Sequence, residues 1–306
     1  MTLRIAHLST FYHTSILLIA RGDMERRLGA DVEWTLYGTG PDIVGAFEEG
    51  LWDLAYIGLP PAMIGMARGL RFKCVAGGHI EGTVLAGESG LREARGPEGL
   101  REVFLQLAGR RVGVPGRGSI HDVILSDSLE RFGLSGEVEV VYYRWADMIT
   151  EALARGEVAA AMGTPALAVA LRRYAGGKVL VPPSMLWPSN PSYGIVASEE
   201  AIRKNSRLVE AFLPIHEEAA GFLRERPREA AEAIASHVGV VDADFVAETL
   251  ALSPRFCAQL TEAYVSSTME FEAALRRLGY TKRKLEAGDI FEPSLIRKVH
   301  PPGDHY

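Results

Sequence analysis

The apolar positions of this chain switch repeatedly between a period of two and a period near 3.6. Leu3 to Leu8 reads as a strand, and Ile16, Leu17, Ile19, Ala20, Met24 and Leu28 follow at helical spacing. Val32 to Tyr37 is the next strand. The turn Gly38-Thr39-Gly40-Pro41-Asp42 opens a helix through Ile43, Val44 and Phe47, and Asp53 to Ile57 is again a strand. Pro60-Pro61 starts a helix with proline in the first turn, where its missing N–H leaves no bond unmade. Phe72 to Val75 and Thr83 to Ala86 complete a first series of strands. Alternation of this kind builds βαβ units on a parallel sheet.

The rhythm breaks over residues 88–109, a polar stretch with a short helix near Pro97 to Leu107, and then resumes. Arg111 to Val114, Val138 to Tyr142, Val158 to Met162 and Lys178 to Val181 are strands; helices through Ile120 to Leu129, Asp147 to Ala154 and Ala166 to Tyr174 lie between them. Both halves carry a helix ending on Gly, a strand, then a Gly-x-Pro turn into a helix: Gly50 and Gly58-Leu59-Pro60, then Gly156 and Gly163-Thr164-Pro165. After four prolines between Pro182 and Pro191, the strand Tyr193 to Ala197 most simply returns to the first sheet, and the chain is then helical to about Gly279. The pattern predicts an α/β protein of two lobes, each a mainly parallel sheet flanked by helices. Lobe one is expected to comprise residues 1–87 and 192–306, with its C-terminal helices packing mainly on it. Lobe two is expected at 110–186, with crossings at 88–109 and 187–191.

Composition narrows the class. With 47% hydrophobic and 24% charged residues, a disordered, collagenous or coiled-coil chain is excluded. A net charge of -6 argues against nucleic acid as the partner, since phosphate binding needs a basic face. Cys74 and Cys257 read as small buried hydrophobes, which excludes a disulfide framework and a zinc site of clustered cysteines; the eight scattered histidines add no metal motif, so no metal and no cofactor are expected. No apolar run approaches the roughly 20 residues that span a bilayer. Met1 leads straight into a strand, so either the protein stays in the cytoplasm or the sequence begins after a removed export signal.

Ligands of open parallel sheets collect beyond the carboxyl ends of the strands. That rule selects the loops Ser9-Thr10-Phe11-Tyr12-His13, Gly38-Thr39-Gly40, Leu59-Pro60 and Gly77 to Gly82 in the first half. In the second half it selects Gly116 to His121, Arg144-Trp145 and Gly163-Thr164. Gly116-Arg117-Gly118-Ser119 is the sharpest: glycines admit backbone N–H groups to a ligand, and the helix start behind them favours an anion. The alternative is a tight turn at Gly118 with Ser119 as an ordinary N-cap. His13, His79 and His121 can each hydrogen-bond a ligand, act as an acid–base group, or satisfy a loop carbonyl. Glu81 can balance a cationic group or form a structural ion pair, and Tyr12, Trp145 and Trp187 can be ligand walls or buried boundary residues. Dinucleotide, P-loop, serine-elbow and zinc-helix motifs are not found.

Taken in order, Leu3-Arg4-Ile5-Ala6 with Tyr12-His13, Val32-Glu33-Trp34, Gly38-Thr39-Gly40-Pro41, and Asp53 through Pro61 resemble a known family. Arg111 to Gly116 with Gly118-Ser119, and Leu186-Trp187-Pro188, continue the likeness over about residues 3 to 290. The family is the substrate-binding proteins of ABC importers for nitrate, sulfonates and taurine, whose superfamily also holds thiamin-pyrimidine binders and a pyrimidine synthase. The resemblance implies a type II periplasmic-binding-protein fold with a hinge, and a cleft lined by the loops at Ser9 to His13, Gly38 to Gly40, Leu59-Pro60 and Gly118-Ser119. With the rim residues His79, Glu81, Arg117, His121, Trp145, Thr164 and Trp187, these are the candidate contacts. It implies a small anionic or zwitterionic organic solute as ligand, an importer permease as partner, and no covalent chemistry; nothing in the sequence requires assembly, so a monomer is expected. The alternative is a cytoplasmic enzyme of the same fold, of the menaquinone-pathway or pyrimidine-synthase kind; the latter is disfavoured because the first loop has no lysine and the cysteines are isolated.

Overall fold

A computed structural model describes residues 2–8, 10–300, 303 and 305–306. The first half runs β1 (Thr2–Leu8), α1 (Thr14–Arg21), α2 (Met24–Leu28), β2 (Asp31–Tyr37), α3 (Gly40–Glu48), β3 (Leu54–Ile57), α4 (Leu59–Ala67), β4 (Phe72–Ile80) and β5 (Val84–Glu88). Then come α5 (Leu100–Leu105), β6 (Arg111–Pro115), α6 (Ile120–Arg131), β7 (Glu139–Tyr143), α7 (Ala146–Ala154), β8 (Ala160–Gly163), α8 (Pro165–Tyr174) and β9 (Gly177–Val181). A short α9 (Pro183–Leu186) precedes β10 (Pro191–Ser198). Helices follow: α10 (Glu199–Lys204), α11 (Ser206–Glu225), α12 (Pro227–Val238), α13 (Ala243–Leu252), α14 (Glu262–Arg277) and α15 (Ala287–Ile290).

Two five-stranded sheets result, ordered β2-β1-β3-β10-β4 and β7-β6-β8-β5-β9. They share one plan. Three strands pair in parallel, and the fourth position is held by an antiparallel strand, β10 in one sheet and β5 in the other. Each of those strands is the first element after the chain crosses between sheets. The lobes are thus built alike, as the repeated Gly-x-Pro turns predict.

Several expectations need correction. Strand β5 pairs with β8 and β9, so residues 84–88 belong to the second sheet and the first crossing falls at 81–83, ahead of the expected passage at 88–109. Within that passage Leu91, Val103, Phe104 and Leu107 are buried core, which makes it a packed edge of the second sheet. The single helix expected between Ile16 and Leu28 is two, broken at Gly22 in the left-handed conformation. Strand β4 runs on through Gly77, Gly78 and His79, a stretch read from sequence as a rim loop. The glycines there admit neighbours: a Cβ on Gly77 would lie 2.7 Å from the Gln259 carbonyl, and one on Gly78 would fall inside the Tyr193 ring. Lastly, α11 and α12 pack on α1, but α13 lies against α8 of the second lobe and so bridges the two.

Between the sheets the crossings touch. The Ser189 N–H donates to the Glu81 carboxylate at 3.0 Å, and the Glu81 N–H to the Asn190 carbonyl at 2.9 Å. Glu81 (φ 60°) and Ser189 (φ 54°) are the non-glycine residues with left-handed backbone among the described residues. Such strain persists only where surrounding contacts enforce it.

Candidate functional site

A cavity of about 580 Å³ opens between the carboxyl ends of the two sheets. That size suits a small organic molecule. Its construction is unusual in one respect: the N-cap residues of six helices line it. His13, Thr39 and Gly58 cap α1, α3 and α4 on the first lobe, and Ser119, Trp145 and Thr164 cap α6, α7 and α8 on the second. A helix start carries unpaired N–H groups and a partial positive charge. Six helix starts bordering one volume favour negative charge, which the Asp147 and Glu151 carboxylates lining the same cavity partly oppose; among the described residues no lysine or arginine lines it.

The side chains add neutral donors. The Ser119 hydroxyl accepts from the Asp122 N–H at 3.2 Å and that of Thr164 from the Leu167 N–H at 3.2 Å. Capping uses the oxygen, so both protons stay available to a ligand. Thr39 differs, because its hydroxyl proton goes to the Asp42 carboxylate at 2.8 Å within a capping box. The Tyr12 and Ser192 hydroxyls share a hydrogen bond of 2.9 Å, and the buried Thr10 hydroxyl has no partner. His13 and His121 form part of the floor. Burial holds His13 well below the ordinary imidazole range and brings His121 down to about 3, so both rings are neutral. Nδ1 of His121 faces the Thr83 hydroxyl at 3.0 Å, and Nδ1 of His13 is buried without a partner. Burial likewise pushes the Tyr12 phenol up to about 12, partly offset by Ser192.

Ten of the expected contacts therefore meet at one place: Thr10, Tyr12, His13, Gly38, Thr39 and Gly40 from the first lobe, with Ser119, His121, Trp145 and Thr164 from the second. Ser9 lies outside the described residues. The remaining seven lie elsewhere, each for a physical reason. Leu59 and Pro60 are buried in the first turn of α4, a helix apolar on every face that packs against α3, α6 and α14. His79, in β4, turns its Nε2 to the Ser253 carbonyl at 2.6 Å. Glu81 sits at the crossing and pairs with Arg255 at 3.1 Å. Trp187 stacks on Phe271 with ring centres 3.9 Å apart.

Arg117 and Gly118 line a separate cavity of about 210 Å³ behind the loop. The glycine-rich turn already holds an anion of its own: the Gly118 N–H donates to the buried Asp122 carboxylate at 2.7 Å, and the Tyr280 hydroxyl donates to the same oxygen at 2.7 Å. Of that motif, Ser119 alone faces the central cavity.

Sequence reasoning missed the outer wall. Asp147, Thr150 and Glu151 come from one face of α7, spaced i, i+3, i+4. Tyr174 ends α8, and Val240, Val241 and Phe245 come from the α12–α13 junction. One signal was available: Val240 and Val241 form an apolar pair at a helix break, and Val240 is 82% exposed. Phe245 meets Phe11 edge to face at 5.5 Å, closing the wall across the cleft.

The comparisons agree with this architecture. A model of the NMT1-like family matches residues 1–239. The alkanesulfonate-binding protein of Xanthomonas axonopodis pv. citri, bound to MOPS, superposes with a TM-score of 0.81 at 19% identity, covering 95% of this chain and 98% of that one. The periplasmic aliphatic sulphonate-binding protein of Escherichia coli gives 0.78 at 18%, covering 96% and 92%. The periplasmic nitrate-binding protein of Synechocystis PCC 6803 gives 0.79 at 13%, covering 97% and 88%. These likenesses show the fold, a two-lobed periplasmic-binding-protein architecture. No curated protein matches the chain by sequence.

Proposed function

This chain belongs to the NMT1-like family, and on that premise we propose that it is a solute-binding protein that traps a small anionic or zwitterionic organic solute between its lobes. The solute we favour is a sulfonate or carboxylate with an apolar body. The observation that carries this reading is the ring of six helix starts around a cavity furnished with neutral donors. An anionic head fits between Ser119, Thr164 and Tyr12, with its body against Phe11, Trp145 and Phe245. Lobe one is residues 2–81 with 191–300 and lobe two 83–181, hinged where Glu81 meets Ser189. Affinity greater for the closed arrangement drives closure. The closed form is then presented, as a monomer, to an ABC importer permease at the outer face of the membrane. The sulfonate- and nitrate-binding neighbours support this choice of solute and partner.

The enzyme reading is weaker. A general base works best with a pKa near the operating pH, and His121 lies far below it. A thermal-shift screen of alkyl and aryl sulfonates, carboxylates, pyrimidines and nitrate decides. Saturation at 100 times Kd stabilises by about 2.7 kcal/mol. A sulfonate or carboxylate recovered unchanged after incubation is the expected result; turnover of any compound, or preference for cations, overturns the proposal.

A further inference from the structure

Outside the lining of the solute cavity, Cys257, His300 and His305 bring three metal-ligating side chains together. Cys257 Sγ lies 3.4 Å from His300 Nε2 and 3.6 Å from His305 Nδ1, and the three ligand atoms all fall within 4.8 Å of one another. The same two ring nitrogens each stand 3.6 Å from an oxygen of Glu217. A tetrahedral zinc ion with Zn–S near 2.3 Å and Zn–N near 2.05 Å implies S···N edges of about 3.6 Å and N···O edges of about 3.4 Å. The observed separations lie within about 0.2 Å of those edges, with His300 facing Oε2 of Glu217 and His305 facing Oε1. Cys257 and the His300 side chain are fully buried, so these two ligands are withdrawn from water while His305 closes the site from the surface. Glu217 is steadied by the Ala258 N–H and by Arg224, at 3.1 Å each.

We propose that Cys257, His300 and His305, with the Glu217 carboxylate at the fourth corner, form a closed structural site for a zinc-class divalent cation. Thiol sulfur with imidazole selects zinc over magnesium or calcium, and four protein ligands leave no position for a substrate. On binding, the Cys257 thiol releases its proton to solvent and the sulfur donates an electron pair to the metal. Thiolate and carboxylate together neutralise the ion. The site ties His300 and His305 to the segment whose Cys257 N–H and Ala258 carbonyl bond β4 at Gly78 and Gly77. Strand β4 ends at the Glu81 crossing, so the metal braces the base of the hinge. This inference does not depend on the identity of the solute.

The test uses the full chain stripped with a chelator. Zinc titrated against a chromophoric competitor should bind at one ion per chain, and cobalt(II) should give a thiolate-to-metal charge-transfer band with tetrahedral d–d absorption. Cys257→Ser should abolish that band. Losing even an outer-shell partner costs 10–100-fold in metal affinity, so His305→Gln should weaken zinc by about 100-fold or more. His305 is 36% exposed at the side chain, so this second variant leaves the core intact and decides the matter should Cys257→Ser not fold. At one concentration of zinc the melting temperature of the parent chain should rise further than that of His305→Gln. Equal zinc affinity in parent and His305→Gln, or a cobalt complex without the thiolate band, would overturn the site and leave a thiol–imidazole hydrogen-bonded cluster.

Discussion

Ser119 divides its hydroxyl between two partners, capping α6 with the oxygen and offering the proton to the cavity. Aspartate caps a helix as well as serine does. Ser119→Asp should therefore keep the fold and its melting temperature while setting a full negative charge against an anionic solute. Calorimetry should show affinity lower by about 10–100-fold, the scale of one hydrogen bond to a charged group; unchanged affinity would remove the anion from that helix start. The buried histidines make a second residue-scale prediction. Burial lowers His79 and His121 to about 3, and His7 and His216 to about 4. The unfolded chain, with imidazoles near 6.5, takes up protons first. Their stabilising contribution is therefore complete above about pH 6.5 and is lost as pH falls toward the folded values. Urea midpoints should drop between pH 7 and pH 5, and His121→Gln should lose about 2 kcal/mol less than the parent over that interval. A parallel pH dependence in the two proteins would refute this assignment.

At the level of elements, close approach of the two rims rests on glycine. A Cβ on Gly38 would lie 2.9 Å from the Arg144 carbonyl and 3.4 Å from the Trp145 ring, and one on Gly116 would lie 2.9 Å from Thr39 Cγ2. Gly38 has no left-handed backbone, so Gly38→Ala strains no torsion and acts by wedging the rims apart. Solute affinity should fall about fivefold or more, as one misplaced methylene in a packed contact costs about 1–3 kcal/mol, with little change in melting temperature of the unliganded chain. Equal affinity would mean that the rims need not meet in the bound form. The helix starts that build these rims were legible beforehand, because Thr39, Ser119 and Thr164 cap in sequence-local turns. His79, Glu81 and Trp187 each had two readings in the sequence, and local pattern could not choose between them. Their partners Ser253, Ser189 and Phe271 come from separate segments, and a strand running through Gly77 and Gly78 carries no local mark of its continuation. The cluster at Cys257 was invisible too, since its histidines lie more than forty residues along the chain.

For the molecule as a whole, the two-lobed plan could be read from strand–helix alternation, while the bridging by α13 could not. That bridge holds α8 through Arg173, which donates to Asp242 at 3.0 Å and to Glu248 at 2.7 Å, with Arg172 also on Glu248. These ion pairs are solvent-facing, so each contributes little singly. Arg173→Ala should weaken solute binding by about two- to fivefold, with the difference from the parent shrinking at high salt. Small-angle scattering should show a smaller radius of gyration with solute than without; an identical curve would exclude closure. The placement of β10 carries a consequence for biosynthesis. The second sheet is complete once residue 181 has been made, whereas the first keeps a gap between β3 and β4 until residues 191–198 arrive. On the ribosome the lobe encoded later matures sooner. The earlier lobe waits, its inner strand edges open, as a client for whatever chaperone attends the nascent chain.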